Sequence, residues 1–457
     1  MSGALVLFTR DLRVRDQPAL AAAAREHDVV VPAFVFDRQL LRGSCGSPNR
    51  LSFLLDCLAD LRRSLDERGA GLLLRRGEVV EQALKLVRQW NLSAIYMSAD
   101  VTPYAQRRHA LLAGRCERAR IQLRTFPGVT VVSAGELVPS GGDHYRVFTP
   151  YWRVWSKLER EPIVQAPSRI PAPAGLESSA PPTLASLTSA APSPHLARGG
   201  ESAARAQLTR WLRAGLAGYE SAHDDLPGAA TSQLSPHLHF GCLSARGLLT
   251  RCEGRGAAGD AFARQLCWRD FHHQVLAARS DMAHADYRPR GDRWREDEQA
   301  RAAWREGMTG YPIVDAGMRQ LSEEGFMHNR ARMIVASFLT KTLYIDWRIG
   351  AAHFARLLID ADVACNVGNW QWMAGTGNDT RPNRVLSPLR QAQRFDPQGD
   401  YVRRYVPELS DVPGGAVHQP WLLDSRGGLA RYPAPIVEQV GAAAELRARR
   451  YGSSSPA

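Results

Sequence analysis

Apolar residues along the first 130 positions come in short unbroken runs, separated by stretches with helical spacing. The runs fall at 4–8, 29–36, 71–75, 94–98 and 121–126. Between them, at about 17–26, 49–68, 79–90 and 103–119, apolar positions recur every three or four residues. A continuous apolar run suits a strand buried on both faces, and an amphipathic helix between two such strands makes a parallel crossover. The alternation predicts an α/β domain of nucleotide-binding type over 1–130. No GxGxxG follows the first strand, so the usual dinucleotide phosphate loop is absent.

The pattern then changes twice. Residues 162–194 hold eight prolines among alanine and serine, too little apolar surface to fold alone, so 131–199 reads as an interdomain linker running over the surface. From about 200 onward the periods are helical. Stretches 201–219, 243–252, 258–278, 311–325, 328–344 and 350–360 are each one helix long, which predicts an all-α domain over 200–457. With 457 residues, more than one core is required.

Charge adds a partner. The formal net charge is +12, carried almost wholly by arginine, with lysine only at Lys85, Lys157 and Lys341. Such a field favours a polyanion, nucleic acid above all. Seven cysteines make no CxxC or CxxH pair, so neither zinc nor a disulfide framework is implied. No apolar run is long enough for a membrane span and no signal-peptide pattern opens the chain, so a cytoplasmic protein is expected.

The candidate chemistry lies in the helical half. Thr231-Ser232-Gln233-Leu234-Ser235 offers hydroxyls and backbone N–H groups ahead of Pro236, a pattern suited to an anion. Trp268-Arg269-Asp270, the segment Thr309 to Asp315, the segment Met327 to Met333, and Asp360 to Asn366 followed by Trp370-Gln371-Trp372 come next. With the opening segment Phe8 to Arg13, these motifs resemble the DNA photolyase and cryptochrome family over nearly the whole chain, and most closely its class I cyclobutane pyrimidine dimer photolyases.

The resemblance implies FAD folded within the helical domain and light-driven repair of damaged DNA. It places Tyr219, Thr231, Ser232, Gln233, Leu234 and Ser235 around the flavin phosphates, with Gln233 standing where the family more often has a basic residue. Arg269, Asn329, Arg332, Asp360, Asp362 and Asn366 are expected around the ring system. Asp360 is expected to pair with Arg332, because a buried carboxylate needs a cation. Asp362 is expected to accept from a flavin N–H or ribose hydroxyl, and Asn366 to face flavin N5. A dimer must be flipped out of the duplex to reach a buried flavin. Trp268 and Trp372 match the family's stacking tryptophans, Met333 its apolar contact, and Arg330 and Arg384 its DNA-facing arginines.

Gln265 departs from the dimer-repair pattern, where Glu is usual; Gln is more typical of (6-4) photolyases and animal cryptochromes. Those (6-4) enzymes carry histidines at the positions of Asn329 and Met333, and this chain does not, so dimer repair is the expected activity. Trp370, Trp347 and Trp294 match the tryptophans that relay an electron from the surface to oxidised flavin. In the α/β domain, Arg50 and Asp100 resemble positions used by binders of an 8-hydroxydeazaflavin antenna. The Asn-Glu pair of folate binders is missing from Thr102 to Arg107. A cryptochrome, which signals rather than repairs, is the rival reading. The chain ends in Gly452 to Ala457, leaving little room for the long tail common in cryptochromes. No metal is expected, and a monomer is the default.

Overall fold

A computed structural model describes residues 2–43, 46–228, 230–423, 431–438 and 442–451. The final six residues, with the tail expectation attached to them, lie outside the described residues. Five strands, β1 (Gly3–Phe8), β2 (Val29–Asp37), β3 (Leu73–Gly77), β4 (Ala94–Ser98) and β5 (Gln122–Phe126), form one sheet in the order β3-β2-β1-β4-β5. Every pairing is parallel. Helices α1 (Pro18–Glu26), α2 (Arg38–Arg42), α3 (Pro48–Asp66), α4 (Val79–Gln89) and α5 (Pro103–Arg118) accompany it. The central strand β1 is buried at all six positions, which is why its sequence shows no polar alternation.

The segment between the domains is better anchored than its proline content suggested. It includes helix α6 (Phe148–Trp155), which packs on the helical domain. The proline-rich part runs beside the sheet. Val30 N–H donates to the Pro171 carbonyl at 2.6 Å, Ile170 N–H to that of Arg68, and Ser179 N–H to that of Leu72. Gly71 permits this approach, since a Cβ there would lie 2.9 Å from Ser178 N.

The helical domain contains α7 (Glu201–Ala214), α8 (Tyr219–Ala222), α9 (Ser235–His239), α10 (Ala245–Cys252), α11 (Gly256–Ala278), α12 (Glu298–Glu306) and α13 (Pro312–Glu324). It continues with α14 (Asn329–Ser337), α15 (Trp347–Leu357), α16 (Val363–Ala374), α17 (Pro388–Phe395), α18 (Asp400–Tyr405) and α19 (Ala442–Tyr451). The helix expected over 328–344 is shorter, because a π-helical turn at Phe338–Thr342 ends its regular part. Among the described residues, no helix is long and apolar enough to cross a membrane.

The two domains meet along the opening motif. Arg13 is buried and donates to the carbonyls of Asp16, Gly128 and Gly241. Leu12 N–H donates to the Phe240 carbonyl at 3.1 Å. Gly241, at φ 66°, brings the two backbones so close that a Cβ would lie 2.1 Å from the Arg10 carbonyl oxygen. This contact holds the sheet's carboxyl edge against the helices that carry the candidate chemistry.

Candidate flavin and lesion site

The expected ion pair forms. Arg332 Nη2 donates to Asp360 Oδ2 at 2.8 Å, and Ser235 Oγ donates to the same oxygen. Arg332 is held in turn by the Met327 carbonyl at 2.7 Å. Asp360 Oδ1 is buried and has no hydrogen-bond partner among the described residues. A buried acceptor left bare is costly, so the arrangement suits a ligand that brings a donor. Beside it runs the loop Thr231–Leu234. Gln233 has φ 51°, a left-handed conformation uncommon outside glycine, and Leu234 follows at φ −88° in the right-handed region. Successive residues of opposite hand turn their N–H groups inward, a concavity that accepts an anion without a basic side chain. Tyr219 is buried nearby against Trp211 and Phe262. These residues fit the phosphates and ring donors of FAD.

Other expected members of the site have partners within the protein. Arg269 donates to the carbonyls of Val129, at 2.6 Å, and Leu238. Asn366 Nδ2 donates to the Ala351 carbonyl at 3.0 Å. Asp362 belongs to an interdomain charge cluster: its oxygens accept from Arg10 Nη2, from His273 Nε2 at 3.2 Å and from Cys365 N–H at 3.0 Å. Burial alone would raise the Asp362 pKa, but His273 and Arg10 hold its carboxyl well below the usual range. Protein donors thus take most of the acceptor capacity of Asp362, the residue expected to serve a flavin N–H or ribose hydroxyl. His273, Asp362 and Cys365 bring potential ligand atoms within 4.8 Å of one another. The Arg10 guanidinium on Asp362 opposes a metal ion there.

On the neighbouring helices the tryptophans converge. Trp268 on α11 and Trp372 on α16 meet edge to face, with ring centroids 5.2 Å apart and planes at 90°. Trp372 and Met333 line a pocket of about 300 Å³ with Met373, Asp379, Thr380, Arg381, Arg384 and Leu386. Arg384 is exposed at its rim, and Asn329 and Gln265 are exposed as well, Gln265 lying one helical turn before Trp268. Arg330, expected to face DNA, has partners within the protein. Its guanidinium binds Asp224, with Nε 3.2 Å from Oδ1, and lies 4.3 Å from the centroid of the Phe395 ring. It is mostly buried, so its charge is spent within the protein.

Phe148, which carries no motif, stacks on Trp268 with centroids 3.6 Å apart and planes 2° from parallel. Arg264 covers Phe148 from 5.2 Å. Asp270, quoted only as part of a motif, ties α11 to the interdomain segment. It accepts from Val131 N–H, Val132 N–H and Trp155 Nε1.

Trp370 and Trp347 are buried, and Trp294 is half-buried. Gly350 on α15 lets the Trp370 ring approach, since a Cβ there would lie 2.2 Å from its Cη2. The helix that begins with Trp347 therefore packs directly on Trp370. Trp347 Nε1 donates to Asp286 at 2.8 Å.

The family pattern described as DNA photolyase matches residues 4–173, and the FAD binding domain of DNA photolyase matches 262–451. The chain belongs to the DNA photolyase family. It is 51% identical over 454 residues to the deoxyribodipyrimidine photo-lyase of Streptomyces griseus, covering 98% of each chain. Among solved structures, a bacterial class III photolyase from Agrobacterium tumefaciens superposes with a TM-score of 0.91 at 32% identity, covering 98% of this chain and 97% of that one. An archaeal photolyase from Sulfolobus tokodaii, solved with two FAD molecules, gives 0.84 at 31% identity, covering 98% and 99%. DASH cryptochromes are also among the relatives.

This photolyase-family chain has a second chamber between its domains, a cavity of about 510 Å³. Phe34, Phe36, Leu51, Leu54 and Val367 give it apolar walls; Arg50, Asp100 and Asn366 line it too. Arg50 is buried and donates to the Leu358 carbonyl at 2.6 Å, and Arg10 Nη1 lies 3.4 Å from Asp100. Tyr104 donates to Asp37.

Proposed function

We propose that the protein repairs cyclobutane pyrimidine dimers in DNA under light, with its chemistry in the helical domain. Reduced FAD, when bound, supplies the photoexcited electron and recovers it after the ring splits. The observation that carries this reading is the adjoining pair of sites: a flavin cradle with a bare buried acceptor, and an aromatic-walled pocket lined by Met333 and Trp372. Arg332 and Ser235 engage Asp360 Oδ2 and leave Oδ1 bare, so Oδ1 can accept from the isoalloxazine ring. The inward N–H groups around Gln233 hold phosphate oxygens, with Thr231, Ser232 and Ser235 beside them. Trp268 and Trp372 wall the flipped dimer, Phe148 keeps the Trp268 ring in place, and Arg384 meets backbone phosphate at the rim. Gln265 can donate its amide N–H to a pyrimidine carbonyl. Asn329 and Met333 supply no proton donor of the kind (6-4) chemistry uses.

Trp370, Trp347 and Trp294 serve as the route by which oxidised flavin is reduced. The interdomain cavity suits a planar antenna, and Arg50 and Asp100 favour an 8-hydroxydeazaflavin over a folate. The free cysteines suit a reducing compartment, so a cytoplasmic monomer is the working form. The test is to illuminate the reduced holoenzyme with two oligonucleotides, one carrying a cyclobutane dimer and one a (6-4) product. Recovery of thymine from the first alone is expected. No recovery from either would favour a signalling role, and recovery from the second would reassign the substrate.

A further inference from the structure

Tyr344 stands in an unusual position beside the outermost tryptophan. Where the chain leaves the π-helical turn Phe338–Thr342, Tyr344 takes φ 55°, a left-handed conformation rare for a bulky residue. Its side chain is buried and its ring lies 4.9 Å from that of Trp294, with planes 38° apart. The Tyr344 carbonyl accepts from Arg295 N–H at 2.8 Å, so the backbone beside Trp294 is fastened to the same residue. The phenol donates to Asp292 Oδ1 at 2.6 Å. The Asp292 side chain is buried against Arg450, whose Nε and Nη2 reach its two oxygens at 2.7 and 2.9 Å.

We propose that Tyr344 is the terminal electron donor of the tryptophan relay, reducing oxidised Trp294 while its phenolic proton passes to Asp292. The inference rests on the relay reading of Trp370, Trp347 and Trp294. One electron leaves the phenol and fills the Trp294 radical cation, and one proton leaves the phenolic oxygen for the Asp292 carboxylate. The products are neutral Trp294, a neutral tyrosyl radical and protonated Asp292. The oxidant is the indole radical cation that the relay generates when light reduces bound oxidised flavin. A phenol that sheds its proton as it is oxidised gives up an electron more readily than indole at neutral pH. One that keeps the proton does not, and Arg449, 5.7 Å from the Tyr344 ring, opposes a positively charged phenol. Asp292 therefore supplies what the step needs. Moving the hole from half-buried Trp294 to buried Tyr344, and fixing it by proton transfer, retards the return of the electron from the flavin.

The test is flash excitation of the oxidised holoenzyme, followed by transient absorption and by electron paramagnetic resonance of the trapped radical. In the unmodified protein the broad indole-radical band should give way to the sharp band of a tyrosyl radical, more slowly in heavy water. In Tyr344→Phe the tyrosyl signal should be lost, and the charge-separated state should decay several-fold faster. An indole radical with the same lifetime in both proteins and no tyrosyl signal would overturn the assignment. If Trp294→Phe still removed that long-lived indole radical, the relay itself would stand. No indole radical in the unmodified protein would overturn both. The heavy-water measurement needs no variant, so a substitution that disturbs folding does not blunt the test.

Discussion

The two chambers of this molecule are built on opposite principles. The interdomain cavity is walled mainly by apolar side chains, and its carboxylates are satisfied from within: Arg10 faces Asp100 and Asp362, and Tyr104 binds Asp37, while His239 Nδ1 and Arg108 Nε have no partner among the described residues. The flavin cradle keeps a buried carboxylate oxygen without a partner. A mainly apolar cavity tolerates being empty, whereas a bare buried carboxylate oxygen is stabilised by its ligand. Stability should therefore follow flavin closely and an antenna weakly.

The largest effect that could break this contrast is at Asp360. Asp360→Ala leaves Arg332 without its carboxylate partner and should cost about 3 kcal/mol. It should also yield protein with little or no flavin, read from the visible spectrum and the melting temperature. Full flavin occupancy in that variant would remove Asp360 from the cradle.

Acid should separate the two domains next. Burial holds the imidazoles of His237, His272, His328 and His353 at about 4, against an ordinary 6.5. All four lie in the helical half. Because the folded values are lowered, the unfolded chain takes up more protons between these limits, so stability is fully present above about 6.5 and falls as pH drops towards 4. Melting temperature and flavin retention should decline together over that window, the helical domain yielding first. A flat profile would contradict the burial of these groups.

Trp268→Ala should weaken binding of dimer-containing DNA by about 1–3 kcal/mol, the usual worth of one aromatic stack, with flavin still bound. Phe148→Ala should do the same to a smaller degree, because it loosens the Trp268 ring without removing it. Both are measured by competition against undamaged DNA. Arg384→Ala should weaken damaged and undamaged DNA alike and reduce the salt slope of binding by about one. Arg330→Ala should leave that slope unchanged, since its charge is already paired. The smallest effect belongs to the interdomain chamber. Asp100→Asn should lower antenna occupancy, seen as loss of its absorption band, while repair driven by direct flavin excitation continues.

The sheet was legible in the sequence because each strand is buried on both faces and therefore apolar throughout. All five strands lie within two or three residues of the expected limits. The Arg332–Asp360 pair was legible for a related reason: a buried carboxylate needs a cation, and the motif supplied both. Asp362 and Arg330 were less so, because their partners, Arg10 and Asp224, lie far away in the chain. Phe148 was hidden for the same reason. It stands in a stretch read as linker and acquires meaning only when α6 packs against α11. Tyr344 carried no motif at all; its position follows from a π-helical turn and a left-handed residue, neither of which leaves a pattern in hydrophobicity.

The most direct test of the account is the emission lifetime of bound reduced flavin in the presence of DNA. Saturating dimer-containing oligonucleotide should shorten that lifetime markedly, because a dimer held beside the cradle drains the excited state, and undamaged DNA should leave it unchanged. A lifetime unaltered by bound dimer would contradict the claim that the helical domain holds flavin and lesion side by side.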